Sequence, residues 1–284
     1  VSDEPHTDQP QDTVVPAPAY HPPLRWWVEV LLVAGFYGVY SLIRNQFGSA
    51  LGASIVRQSY ANAISVIDFE SALGLYIEPE LQERFLGWDW FLIGWNVFYG
   101  TFHFVITIGT MVYLFVKAPL RYSFMRSTLC LTTGTALIGF ALFPLMPPRL
   151  LGNCESAFGA CNPNHTFVDT LTELGGLWSF ETERIANISN QYAAMPSLHI
   201  AWAVWCAVAL SPLLRRRITR IVVWCYPILT LFAIMVTANH YWLDAFGGLI
   251  ALGVGLLLAP FLTRLLPGPT GTLSSDVVER PLRT

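Results

Sequence analysis

Six apolar stretches set the limits on what this 284-residue chain can become. They cover about 26–43, 90–116, 127–146, 192–214, 221–238 and 242–262. A bilayer core needs about 20 apolar residues per helix, so each stretch qualifies or comes close. The first is the weakest, being short and holding Glu29, and reads as a tilted or interfacial-ended span. The second contains no Asp, Glu, Lys or Arg. The expected fold is therefore all-α, a polytopic membrane helical bundle with about six transmembrane helices. Composition removes the alternatives. Charged residues make up 12% of the chain, half of the roughly 25% usual in a soluble domain, which excludes a cytosolic globule and general disorder. A net charge of −3 gives no basic field to hold nucleic acid. Ten Trp, eleven Tyr and eighteen Phe suit rings at the headgroup level of a bilayer.

The stretches divide the chain into a tail at 1–25, a membrane domain at 26–265 and a second tail at 266–284. The first tail is rich in Pro, Asp and Gln without periodicity and is expected to be disordered. No cleavage-site pattern follows the first stretch, which reads as a retained span. Lys117, Arg121 and Arg126 fall in the second loop, and Arg215, Arg216, Arg217 and Arg220 in the fourth. Both loops are expected to be cytoplasmic. The loop at 147–191 has Arg149 and Arg184 against Glu155, Asp169, Glu173, Glu181 and Glu183, and is expected to face outward. Six spans then put both termini on the cytoplasmic side of a plasma (cell) membrane. Cys154 and Cys161 share the outward loop, whereas Cys130, Cys206 and Cys225 lie in spans. Disulfides persist on the oxidising side, so a Cys154–Cys161 bridge is expected over two free thiols. The segment at 45–88 is too polar to span. Its apolar Ile64, Ile67, Phe69 and Leu73 point to helices lying at the outer surface.

Against so little charge, His199, His240 and Asp244 in the last three stretches stand out. A buried Asp at mid-bilayer costs about 2.5–3.5 kcal/mol on insertion scales, and such residues commonly face a polar cavity. By the expected topology all three lie near the outward ends of their spans. His240 and Asp244 are four apart, one turn on a helix face, where the carboxylate holds one imidazole nitrogen and leaves the other as nucleophile or base. His199 follows Pro196, a helix-starting residue, and Ser197, a capping residue. A helix N-terminus binds phosphate through its free N–H groups, and Arg149, after two prolines, adds a fixed guanidinium. Two histidines, a carboxylate, an arginine and a helix N-terminus make a phosphoryl-transfer constellation. It calls for no cofactor and no metal.

The stretch Ala194-Met195-Pro196-Ser197-Leu198-His199, with Asn239-His240-Tyr241-Trp242-Leu243-Asp244 after it, resembles the second and third motifs of the type 2 phosphatidic acid phosphatase superfamily. Pro147-Pro148-Arg149 resembles the arginine of its first motif. The spelling of the motifs, the segment from Glu70 to Gln82 and the pattern Asn96, Tyr99, His103 are most similar to the inositol phosphorylceramide synthase-like branch and its bacterial relatives. The resemblance covers roughly 44–250. It implies that His240 is the nucleophile forming a phosphohistidine, that Asp244 orients it, and that His199 protonates the leaving oxygen. It also implies that Arg149 and Ser197 bind the phosphoryl group of a phosphorylated lipid. The chain departs from the wider superfamily where Ala233 and Ile234 replace a Ser-Arg pair, and where 127–148 lacks the usual lysine. The cradle is less cationic than a vanadate-type haloperoxidase requires.

Asn96, Tyr99 and His103 share one helical face at i, i+3 and i+7. They read equally as contacts to a substrate headgroup or as interhelical hydrogen bonds. Arg44 reads as a substrate-phosphate contact or as a membrane-boundary residue. Hydrolysis is slightly favoured over headgroup transfer. A transporter or lipid-binding scaffold is the non-enzymatic alternative, but it would spread polar residues through the depth of several spans rather than gather them at one end.

Overall fold

The computed structural model describes residues 25–47, 53–154, 158–162, 164, 166–175 and 191–266, with backbone alone at 36, 37, 39–47 and 53. The readings of both tails, and of most of the second half of the outward loop, fall outside the described residues. The helices are α1 (Trp26–Phe47), α2 (Ala53–Ala72), α3 (Glu78–Glu83), α4 (Asp89–Lys117), α5 (Pro119–Leu142), α6 (Thr170–Glu173), α7 (Leu198–Leu210), α8 (Arg217–Val236) and α9 (Trp242–Leu265). Short 3₁₀ turns cover Pro148–Leu150 and Ser211–Leu213. The described residues contain no strand, only one parallel bridge between Leu145 and Ala193. The fold is all-α.

Four helices, α4, α5, α8 and α9, are long and apolar enough to cross a membrane, at 29, 24, 20 and 24 residues. At 1.5 Å per residue even the shortest spans about 30 Å, the thickness of a hydrocarbon core. Two shorter apolar helices, Trp26–Gly35 within α1 and Leu198–Leu213, bring the bundle to about six. The outward faces are apolar: Val105, Ile108, Val112 and Val116 form an exposed stripe on α4, and Phe246, Ile250, Leu257 and Phe261 another on α9. Spacings of three, four and seven keep each stripe on one side of its helix. Lipid accepts such faces where water does not. The inward face of α9 carries Gly248, Ala251, Gly255 and Ala259. A Cβ at Gly255 would collide with Thr132 Oγ1 of α5 and stand 2.8 Å from the Thr128 carbonyl. This small-residue seam lets α5 and α9 pack backbone to backbone.

The two ends of the bundle differ. Lys117, Arg121, Arg126, Arg215, Arg216, Arg217 and Arg220 gather where α4, α7 and α9 finish and α5 and α8 begin. There Arg121 donates to the carbonyls of Val208 and Ala209, tying α5 to the last turn of α7. At the other end three connecting segments are laced together. Leu145 N–H donates to Tyr192 C=O (2.8 Å), Arg149 N–H to Ala238 C=O (2.9 Å) and Tyr241 O–H to Met146 C=O (3.1 Å). Exposed tryptophans mark both ends, Trp26 and Trp27 at one, Trp88 and Trp90 at the other, as expected of aromatic belts.

The structure refines the sequence reading at four points. Only Ala118 separates α4 from α5, so Arg121 and Arg126 are helical residues and not loop charges. Glu29, in the first turn of α1, is buried against Arg126 Nη1 (2.6 Å) and accepts from Tyr122 O–H (3.0 Å). An opposite charge on α5 satisfies it inside the bundle, which hydropathy along α1 alone does not register. The fourth apolar stretch is helical only from Leu198: Tyr192 and Ala193 pair with Leu145, and the chain bends at 195–196 before the helix begins. Finally, α2 and α3 do not merely lie on a surface. Ile64 and Ile67 pack with Leu145, Met146, Leu150, Tyr192, Ala238 and Tyr241, clamping the three connecting segments, while Phe69 and Leu73 remain exposed.

Candidate active site

The helix α8 ends in a tight turn that delivers His240. Ala238 N–H donates to Met235 C=O and Asn239 N–H to Ile234 C=O, the paired bonds of a Schellman cap, with Ala238 at φ +51° in the left-handed position. Ile234 C=O also accepts from His240 N–H (3.1 Å). His240 thus precedes α9 rather than lying on it, unlike the sequence reading. Tyr241 caps α9, and Asp244 sits in its first turn. Asp244 Oδ2 meets His240 Nδ1 at 3.1 Å and Tyr241 N–H at 3.0 Å. The four-residue spacing works through a helix cap instead of a helix face. A carboxylate at Nδ1 holds the proton there and leaves the Nε2 lone pair available.

His199 is the second residue of α7. Pro196 stays outside the helix, and Ser197 occupies the cap position without a side-chain cap bond. The Ser197 Oγ is buried and meets no partner among the described residues. Ser197 N–H donates to Asp244 C=O (2.9 Å), so one aspartate fixes the starts of both α7 and α9. The His199 ring lies 5.4 Å from that of His240, stacks on Tyr99 at 4.4 Å and meets His103 edge-on at 4.3 Å. Tyr99, His103, His199 and His240 therefore form one aromatic cluster. His103 Nδ1 is committed to the Tyr99 carbonyl one turn back (2.9 Å). Asn96, on the same helix face, is drawn away. It donates to the carbonyls of Thr170 (2.8 Å) and Gly175 (3.1 Å) and accepts from Thr170 O–H, anchoring the outer loop.

Arg149 follows two prolines at the turn after α5. Its Nε donates to Asn239 Oδ1 (3.0 Å), Nη1 to Asp169 Oδ2 (2.7 Å) and Nη2 to Gln191 Oε1 (2.7 Å). The guanidinium is 12% exposed, fixed by three partners beside the residue that precedes His240. Asp169 in turn caps α6 through Thr172 N–H, and Gln82 pairs with both backbone groups of Val168 next to it. Arg44 lies in α1, with its side chain outside the described residues. Cys154 and Cys161 are joined as a disulfide, Cα to Cα 4.2 Å.

Sequence reasoning missed five residues that build this site. Asp169 was weighed only as an outward-loop charge, and Gln191 carried no local signal. Asn239 lay inside a quoted motif but had no role. Glu70 and Glu78, both fully buried, accept from the N–H groups of Leu243 (3.0 Å) and Trp242 (2.9 Å) at the start of α9. Acidic residues in a helix otherwise read as surface, holding backbone N–H groups 173 and 164 positions away, give no periodic or spacing signal.

Fold and site together define an all-helical membrane protein with a histidine–aspartate centre at one end of its bundle. A family-model comparison matches residues 64–258 to the PAP2 superfamily. The chain belongs to that superfamily, the type 2 phosphatidic acid phosphatases, and membership supports a phosphatase-type function on lipid phosphates. Searches of the curated proteins and of the solved structures gave no match.

Proposed function

We propose that the protein is a membrane-embedded lipid phosphate phosphatase working through a phosphohistidine. The observation that carries this reading is the pairing of His199 and His240, 5.4 Å apart, with His240 Nδ1 held by Asp244. One phosphoryl group can bridge that separation. His240 Nε2 attacks phosphorus, the P–O bond to the lipid breaks, and His199 gives its proton to the leaving oxygen. Water then attacks the phosphohistidine while His199 takes its proton, the P–N bond breaks, and phosphate leaves. Arg149, the first-turn N–H groups of α7 and the unpartnered Ser197 Oγ hold the equatorial oxygens. Both proton transfers belong to side chains, so the cycle is written without a metal, and activity should persist in EDTA.

The basic residues lie at the far end of the bundle from the histidines. Under the positive-inside rule this supports a plasma-membrane protein with its site outward and both termini cytoplasmic. Incubating the purified protein in detergent with phosphatidic acid, prenyl phosphates and phosphoinositides, with phosphate release as readout, tests the reading. Full activity of His240→Ala on every substrate turned over would overturn it.

One observation favours a second reading, transfer of an inositol-phosphate-type headgroup. The guanidinium of Arg149 is already opposed by Asp169 at 2.7 Å, which suits a singly charged phosphodiester better than a doubly charged monoester. A labelled new lipid formed from labelled donor and an acceptor alcohol would replace hydrolysis with transfer.

A further inference from the structure

The start of α9 carries Asp244 and follows His240, and it is held by two acids from outside the long bundle. Glu70 is on the last turn of α2 and Glu78 on the first turn of α3, and neither side chain is exposed. Glu70 Oε1 accepts from Leu243 N–H, and Glu78 Oε1 from Trp242 N–H. These are first-turn donors that a helix leaves unsatisfied. With Asp244 Oδ2 on Tyr241 N–H, three successive N–H groups are each assigned one carboxyl oxygen. The remaining oxygens, Glu70 Oε2 and Glu78 Oε2, are buried and receive no donor from other described groups. Because they accept from the successive N–H groups of Trp242 and Leu243 in one helix turn, the two carboxyls are drawn to the same end of α9. Two buried acceptor oxygens at one place repel each other, and a proton held between them turns that repulsion into a hydrogen bond.

We propose that Glu70 and Glu78 are a positioning pair that shares one proton, and that this acid–carboxylate pair sets the first turn of α9 so that Asp244 meets His240. One negative charge stays on the pair, where it complements the positive end of the α9 dipole. The proton removes the repulsion that two buried carboxylates would suffer. The titratable groups facing the pair are Asp244 and Tyr241 at the start of α9 and Tyr76 in the turn between α2 and α3. All three are acids, so none supplies a counter-charge, and uptake of a proton is the remaining remedy. Consistent with this, burial and the neighbouring Glu78 push the Glu70 carboxyl up to about 9. The pair acts through Asp244 and touches no substrate. The role rests on the assignment of His240 and Asp244 given above, but the shared proton does not.

Glutamine is the discriminating substitution, because its amide keeps both contacts: the carbonyl accepts the α9 N–H, and the NH₂ donates where the shared proton was. Glu70→Gln and Glu78→Gln should each hold kcat within ~3-fold, whereas Glu70→Ala and the double E70Q/E78Q variant should lower kcat on the order of 10²-fold through misplacement of the centre, with little change in KM. Wild-type activity should fall as pH rises through about 9, and that alkaline limb should vanish in either single Gln variant. Two readouts do not need activity. The infrared carbonyl band of a protonated carboxyl should be present in the wild type at neutral pH and absent from both single Gln variants. The folded state holds a proton that the unfolded chain releases above its ordinary value of 4.5, so stability should decline as pH rises from there to about 9. That slope should flatten in E70Q. Single Gln variants as damaged as Glu70→Ala, or a carboxyl band surviving in both, would overturn the shared proton. A fully active double Gln variant would overturn the positioning role. If no lipid is turned over while the band and the stability slope behave as stated, the pair stands and the enzymatic reading fails.

Discussion

Two arginines pair with carboxylates at opposite ends of this bundle, one buried and one partly open. Arg126, at the basic end, is 2% exposed and pairs with Glu29, which Tyr122 also contacts. Among the described residues, its contacts in the bundle are to Glu29 and Tyr122, and no histidine lies among them. Arg149 pairs with Asp169, Gln191 and Asn239, keeps 12% exposure, and sits next to a cluster of three histidines. The first pair closes a helix contact. The second holds a cation at a fixed place beside the histidines proposed to carry the reaction. Burial of a charge in the membrane domain therefore does not separate structure from function; the state of its neighbours does.

The sharpest way to break the comparison is at the histidines. His240→Ala should lower kcat at least about 10⁴-fold, the scale of removing a nucleophile or its orienting acid, while the melting temperature in detergent stays close to wild type. Collapse of the fold instead would make the site end as structural as the basic end. Arg126→Met inverts the pattern. It strands Glu29 in the bundle, and breaking a buried pair costs about 3–5 kcal/mol. Thermal unfolding should show that loss, with kcat per folded molecule unchanged. The double change E29M/R126M should recover most of the stability, because an apolar pair of similar volume is often neutral.

Arg149→Lys sharpens the distinction at the site. Lysine keeps the charge but cannot give Asp169, Gln191 and Asn239 three separate N–H groups in a fixed plane. A drop of about 10²-fold in kcat/KM is expected, with a stability loss smaller than that of Arg126→Met. Equal effects in unfolding and none in kinetics would reduce Arg149 to an anchor.

Much of this was legible in the chain. The apolar runs set the helical class, and the scarcity of charge singled out His199, His240 and Asp244. What failed was whatever depends on the partner. Glu29 reads as a blemish in a span until Arg126 is placed beside it. Arg121 and Arg126 read as loop charges because a one-residue break at Ala118 has no compositional signature. The segment from Glu70 to Gln82 reads as family-like within a surface region but gives no role to any single residue, because Glu70, Glu78 and Gln82 contact backbone groups more than 80 positions away. The four-residue spacing of His240 and Asp244 implies a contact on a helix face, whereas a helix cap brings them together, since both geometries join residues four apart.

The smallest effects compare two turns of the same design. After α2, Leu75 N–H donates to Glu70 C=O and Gly74 N–H to Ser71 C=O, with Gly74 at φ +68°. After α8 the same paired bonds close around Ala238 at φ +51°. Glycine occupies the left-handed position without a Cβ penalty; alanine there costs about 1 kcal/mol. Gly74→Ala meets open space, since nothing lies within 4 Å of the added Cβ, so its loss of about 1 kcal/mol is purely conformational. Ala238→Gly should gain less than that, because the relief is offset by the greater freedom of glycine in the unfolded chain and by a methyl lost from a buried cluster. Unfolding measurements on both variants should therefore differ in sign. The kinetic consequence should differ too: Ala238 lies two residues before His240, so a looser turn there lowers kcat by a few-fold at most, on the order of 1 kcal/mol. If Ala238→Gly stabilises the protein and also leaves kcat untouched, the left-handed alanine is only a relic of the turn; if kcat falls while stability rises, the stiffness of that turn serves the placement of His240.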